Sequence, residues 1–327
     1  MKIRIGGAFA VALAWGVAGF AAAAAVFAQA YPVRPTRLVV GYPAGGLTDG
    51  VARTLAPRLA ETLGQQVIVD NRGGGGSTIG TDIVAKSPPD GYTLLVADQA
   101  LITNPSLYAK LPYETLKSLQ PVALVGAASL MIVVHPSLPV RSVKELVALA
   151  KSRPGEVNYA SGGNGTATHL AGELFKQVAG VNMVHIPYKG AGIAIVDLLG
   201  GHVSIMFSSI GAAGPHVNVG KIRALAVTGP TRAPAQPAVP TLAEAGYAAA
   251  SVVGYWGVLA PAGVARDIVD KLSGAIAAAV RQPEVHQRLV DQGVDPSGAG
   301  PADYGRVIRA ETEKWAKVIR QAGIKVD

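Results

Sequence analysis

The sequence predicts an α/β fold of two domains, each a mostly parallel sheet flanked by helices. Strand-type runs alternate with helical patterns through most of the chain, which implies right-handed βαβ units. At 327 residues the chain is long enough for two domains. Half its residues are hydrophobic, 15% are charged, and 40 are glycine and 22 proline. That composition suits large cores and tight turns, not a disordered or coiled-coil chain.

Residues 1–30 are separable. Lys2 and Arg4 give a positive start, Ala8 to Phe27 is apolar, and Ala28-Gln-Ala30 fits a small-x-small cleavage site. A secretory signal cleaved after Ala30 is expected, which places the mature protein in the periplasm. An uncleaved membrane anchor is the alternative, because the apolar run approaches spanning length. Loss of Lys2 and Arg4 lowers the formal charge from +8 to +6. The remaining excess is not clustered on any helix, so nucleic-acid binding is not expected. The chain has no cysteine, which excludes disulfides and thiolate metal sites.

The mature chain opens with a strand at Arg37 to Tyr42, a turn at Pro43-Ala-Gly-Gly-Leu-Thr-Asp49 and a helix at Val51 to Ala60, capped by Thr48 or Asp49. Val67 to Asp70 reads as a strand. The glycine-rich loop Asn71 to Gly80 then enters a helix around Asp82 to Lys86. After the Pro88–Gly91 turn, Tyr92 to Val96 is a strand, and Ala97 and Asp98 fall at its carboxyl end, where ligands gather in open α/β sheets. Val122 to His135 holds two apolar runs broken by Gly126-Ala-Ala128, a passage between domains. Val143 to Ala150 is helical. Four strands are expected at Val157 to Ala160, Met183 to Pro187, Val203 to Phe207 and Arg223 to Thr228. Gly190 to Gly201 is helical in pattern, Ile210 to Gly220 mixes helix and turn, and Pro230 to Pro240 reads as an extended linker. Val252 to Leu259 is a further strand, and Arg266 to Val280 and Ala302 to Ala322 are amphipathic helices.

The stretch Asn158 to Leu170 repeats the grammar of the first turn. Ser161, Gly162, Gly163, Asn164, Gly165 and Thr166 form a permissive turn between a strand and a helix. Such a turn leaves backbone N–H groups unpaired at a helix N-terminus, ready for an anion. Neither turn carries the lysine of a phosphate-binding P-loop, and tight packing at an ordinary βα connection is the competing reading of both. Ser161 and His169 lie close in sequence, but Tyr159 stands where a nucleophile elbow needs glycine. The dinucleotide fingerprint is also incomplete. The six histidines show no paired spacing on a helix, so neither metal nor cofactor is expected. Phe207 and Trp256 could stack on a ligand, although core burial is the commoner fate of such residues.

Several motifs together resemble the extracytoplasmic solute receptors of tripartite tricarboxylate transporters, the Bug proteins. They are Tyr31-Pro-Val-Arg-Pro35, Pro43 to Asp49, Val69-Asp-Asn-Arg72, Pro89-Asp-Gly-Tyr-Thr-Leu94, Ala160 to Gly165, His169 to Leu174, Ile186-Pro-Tyr-Lys-Gly190 and Pro240-Thr-Leu-Ala-Glu-Ala-Gly246. The resemblance implies a periplasmic-binding-protein (Venus flytrap) fold, type II-like. Its domains are expected at 31–125 plus about 224–250 and at 126–223, with 251–327 as a C-terminal helical segment packing across both.

It also implies a monomeric receptor, not an enzyme, that closes on a small carboxylate and delivers it to membrane permease subunits. The expected ligand contacts are Tyr42, Pro43, Ala44, Gly45, Gly46, Thr48 and Asp49 of the first turn, with Ala97 and Asp98. From the other domain they are Ser161 to Thr166, His169, Phe207 and Ser208. The Ser161 hydroxyl is expected to donate to the ligand. Ser208 stands where many relatives have aspartate, and Leu47 where many have serine. Both departures imply an acid without an amino group. A periplasmic hydrolase on the same cleft and a ligand-sensing subunit of a signalling system are the rivals.

Overall fold

The computed structural model describes residues 31–324, so the expected signal segment and its cleavage site lie outside the described residues. In chain order the first half holds β1 (Thr36–Val40), α1 (Leu47–Leu63), β2 (Val67–Asn71), α2 (Thr78–Ala85), β3 (Thr93–Ala97), α3 (Gln99–Leu107), the single turn α4 (Thr115–Ser118) and the long strand β4 (Leu119–Val134). Then come α5 (Val143–Ser152), β5 (Asn158–Ser161), α6 (Ala167–Ala179), β6 (Val184–Pro187), α7 (Ala191–Leu199), β7 (Ile205–Ser209), α8 (Ile210–Asn218) and β8 (Arg223–Val227). The chain ends with β9 (Val253–Pro261), α9 (Arg266–Arg281), α10 (Pro283–Asp291), β10 (Val294–Ala299) and α11 (Pro301–Ala322).

Two sheets share β4. In the first, β1 lies parallel between β2 and β3, and β9 runs antiparallel between β3 and β4. In the second, β5 lies parallel between β6 and β7, and β4 runs antiparallel between β7 and β8. Each sheet therefore takes one antiparallel strand from chain arriving out of the other half, β9 in the first and the end of β4 in the second. This is the two-domain periplasmic-binding-protein architecture that the sequence reading expected.

The crossing is sharp. Ser129 is the last β4 residue paired with β9, and Leu130 is the first paired with β7. No break occurs at Gly126-Ala-Ala128: the strand continues there, and a Cβ on Gly126 would meet the Asp295 carbonyl of β10 at 2.4 Å. The glycine serves close backbone approach, not a turn. Strand pairing also corrects the expected grouping of 224–250 with the first domain, because β8 pairs with the second-sheet half of β4. Likewise the segment from 251 onward is not simply helical, since β9 is a central strand of the first sheet.

Alternation along the strands sets the layers. Leu38, Val40, Leu94 and Val96 bury one face of the first sheet under Val51, Leu55 and Leu59 of α1 and Leu272 and Ile276 of α9. Val39, Leu95 and Ala97 face the other way, into a core with Leu101 of α3 and Tyr304 and Trp315 of α11. Helix α11 packs on α3, β4 and α6, and so touches both domains. Among the described residues no helix is long and apolar enough to cross a membrane.

Thr228, buried and fully shielded from solvent, ties the two crossings together. Its hydroxyl accepts from Leu130 N–H at 2.8 Å and donates to Val252 C=O at 2.7 Å. Its own N–H donates to Leu130 C=O, and its C=O accepts from Val252 N–H. Thr228→Val keeps the shape but strands Leu130 N–H, at a cost of about 1–3 kcal/mol. Calorimetry should show a melting temperature lowered by a few degrees, with Thr228→Ser near wild type; a valine variant as stable as wild type would remove the joint from the hydroxyl.

Candidate functional site

The first glycine turn is held from beneath. Asp49 sits within the first turn of α1, and its carboxylate accepts from Gly45 N–H, Arg53 Nε and Asn71 Nδ2 at 2.9–3.0 Å. Burial alone would raise the Asp49 pKa, but these donors together lower it. The residue, expected as a ligand contact, is 3% exposed and braces the turn without bordering the cavity. The helix cap is also not Thr48 or Asp49: Gly46 takes that place, with no side-chain capping bond. Gly50 N–H makes the first bond to Gly46 C=O, so the amides of Leu47, Thr48 and Asp49 have no intrahelical acceptor.

Between the domains lies a cavity of about 530 Å³. The N-cap residues of five helices line it: Gly46 of α1, Asp98 of α3, Thr166 of α6, Gly190 of α7 and Ser209 of α8. Each of these helices follows the carboxyl end of a parallel strand, so the sheet topology aims them at one place. Gly46, Gly190 and Ser209 make no side-chain cap, leaving first-turn amides open to a guest. Gly190 has φ +132°, a conformation that glycine alone adopts without strain. Helix N-termini carry partial positive charge, so the cavity favours an anion without an arginine in its wall. Lys189 adds a cation at the exposed rim, and Leu130 and Trp256 supply apolar wall.

Asp98 is the acidic side chain in that wall. Its Oδ1 accepts from Tyr42 OH at 3.2 Å and Ala100 N–H at 3.1 Å. Its Oδ2 receives the Thr48 hydroxyl at 3.4 Å. Thr48 in turn accepts from Trp256 Nε1 at 3.1 Å. Burial pushes the Asp98 pKa up, and the three donors recover only part of that shift.

The second turn is built differently from the expectation. Four of its amides are spent internally: Gly162 N–H on Thr168 Oγ1, Gly163 N–H on Ser161 Oγ, Gly165 N–H on His169 Nδ1 and Thr166 N–H on Gly163 C=O. Gly162, Thr166, Ala167 and Thr168 reach the cavity, whereas Ser161, Gly163, Asn164, Gly165 and His169 do not. Ser161 is 0% exposed, with its Oγ 2.6 Å from His185 Nε2. It braces the turn and does not border the cavity. Ala97 and Phe207 are core, Phe207 lying against Tyr159 and Phe175. Ser208 is fully buried with no partner for its hydroxyl, and it does not border the cavity.

The cavity residues that the sequence reading missed are mainly Lys189 to Ile193, Ser209, Leu130 and Leu47. A signal was present at α7: Tyr188-Lys-Gly-Ala-Gly192 precedes an apolar helical run, a third strand–glycine–helix unit. Trp256 was seen as a stacking candidate, and the structure makes it both wall and hydrogen-bond donor.

Under the second turn, His185 stacks on His169 with ring centroids 4.0 Å apart and on Tyr159 at 5.0 Å. Tyr159 OH donates to Glu173, which pairs with Lys176. Burial, with His169 beside it, pushes His185 down to about 4. Burial also lowers His169. A histidine whose folded pKa is depressed is neutral in the fold while the unfolded chain takes up its proton near pH 6.5. Stability is therefore full above about pH 6.5 and falls as pH drops towards 4. Thermal melts across that window should show the decline, and His185→Asn should flatten it. Ser161→Ala should lower the melting temperature of the unliganded protein.

Residues 51–324 match the tripartite tricarboxylate transporter family receptor, TctC. BugT of Bordetella pertussis is 41% identical over 306 residues, covering 93% of this chain and 94% of that protein. The structure of R. palustris Rpa4515 with adipate is 36% identical, covers 90% of this chain and 100% of its own, and superposes with a TM-score of 0.86. MatC from Rhodopseudomonas palustris, with bound malate, is 31% identical, covers 88% and 100%, and gives 0.81. With a cleft walled by helix N-termini, the expected two-sheet topology and these likenesses, the chain belongs to the TctC receptors of the tripartite tricarboxylate transporter family, which are solute-binding receptors and not enzymes.

Proposed function

We propose that the protein is a periplasmic receptor that captures a small organic carboxylate in the interdomain cleft and delivers it, as a monomer, to the permease of a tripartite tricarboxylate transporter. The convergence of five helix N-caps on one cavity carries this reading. Relatives with adipate and malate support the carboxylate class. A cavity of about 530 Å³ suits a small acid.

The mechanism rests on two incomplete half-sites. The Leu47 and Thr48 amides of α1 face the ligand from one domain. Ala167, Thr168 and the opening of α7 face it from the other. A ligand that bonds both favours the closed arrangement by its differential contacts. Ile193 at the lip of α7 is 54% exposed and borders the cavity, so closure over a ligand covers apolar surface as well. The hydrolase rival lacks a means: the Ser161–His185 pair lies buried beneath the second turn and does not line the cavity.

Mono-, di- and tricarboxylates should be screened by thermal shift, because a ligand bound only by the fold raises apparent stability. The best acid should also shrink the radius of gyration in small-angle scattering. No stabilisation by any carboxylate, or an unchanged radius at saturation, would count against the reading.

A further inference from the structure

The geometry points to Asp98 as the residue that sets ligand choice, with Oδ2 accepting a hydroxyl of the bound acid, so that the cleft prefers hydroxycarboxylates to their unsubstituted counterparts. This rests on the carboxylate-receptor reading above.

A carboxylate in the wall of an anion-binding cavity is a cost unless something compensates it. For any carboxylate guest, Asp98 is a like charge, and the cavity holds no cation against it: Lys189, the cationic side chain of the lining, belongs to the opposite domain and sits at the exposed rim. The N-cap role does not explain its whole placement either. Only Oδ1 is engaged by that role, accepting Ala100 N–H together with Tyr42 OH. Oδ2 has the Thr48 hydroxyl alone, at the long distance of 3.4 Å. A carboxylate oxygen accommodates about two donors, so Oδ2 retains an acceptor position on a residue that borders the cavity.

The surrounding donors are fixed in direction. Trp256 Nε1–H occupies Thr48 Oγ1, which leaves the Thr48 proton to turn towards Asp98. A guest that brings its own donor completes the shell.

The donor is a hydroxyl and not an ammonium on electrostatic grounds. Asp98 lies at the N-terminus of α3, and four further helix N-termini point at the same space. Their partial positive charges oppose a cation but leave a neutral donor unaffected. Buried Ser208 supplies no second carboxylate to an ammonium. Burial favours the neutral form of Asp98, and a donated hydroxyl counters that by stabilising the carboxylate.

The test compares matched acids that differ by one hydroxyl: lactate with propionate, malate with succinate, and citrate with tricarballylate. Calorimetric titration of the full mature chain should give tighter binding of the hydroxy acid in the pair whose size fits. The expected preference is about ten- to a hundredfold, the range for a hydrogen bond to a charged group. Asp98→Asn should cut that preference by about tenfold, with an apo melt verifying that α3 remains capped. Equal binding of both members of every pair that binds, or a preference unchanged in Asp98→Asn, overturns the inference while leaving the receptor reading intact. Failure of all six acids overturns the inference, and the receptor reading falls with it only where the wider carboxylate screen also finds no ligand.

Discussion

The joint at Thr228 is the constraint on which the molecule depends. One threonine holds the outgoing crossing at Leu130 and the returning one at Val252 in a single hydrogen-bonded unit. Because β4 runs through both sheets, this joint fixes which ends of the parallel strands meet. All five helices that border the cavity start at such ends, so their orientation follows from sheet topology before any side chain is considered. Leu130 belongs both to the joint and to the cavity wall, which sets the cavity against the place where β4 passes between the sheets.

That origin explains why the cleft has few charges. A backbone amide at a helix start loses no rotamer freedom on binding, whereas an arginine or lysine loses up to about 2 kcal/mol. Each helix terminus contributes only about 0.3–1 kcal/mol at exposed sites, rising to about 2 where partly buried. Several termini acting on one guest therefore replace a salt bridge without burying an unpaired cation in the empty state. A receptor must release what it captures, and a site of many weak donors divided between two domains loses half of them on opening.

Much of this was legible in the chain. Both glycine turns read as strand–turn–helix units, and Tyr42 to Gly46, Thr48, Asp98, Gly162 and Thr166 do line the cavity. What failed was the assignment of free donors. The second turn satisfies itself through Ser161, Thr168 and His169, partners that only a folded loop brings together. Helix α3 escaped because it is buried nearly all round and carries Pro105, so neither periodicity nor propensity marks it. Strand β10 reads as a polar turn, Asp295-Pro-Ser-Gly298, and is a strand only because β4 offers it an edge. The grouping of β8 was lost for a like reason: pairing across the crossing leaves no periodic trace.

The two turns consequently divide their labour. The first spends its Gly45 amide on Asp49, which Arg53 and Asn71 hold in place, and leaves the Leu47 and Thr48 amides without an intrahelical acceptor. The second is braced from within and presents mainly hydroxyls and the start of α6. Beside it in the cavity wall stands the start of α7, where Gly190 makes no side-chain cap and the first turn lies partly exposed. Within such a frame Ala191, Ile193 and Ser209 border the cavity and make no side-chain brace, so they are the positions where a substitution alters the wall at least cost to the fold. Asp49, Ser161 and His185 are bound into the scaffold, and a change at any of them acts on the fold before it acts on the ligand.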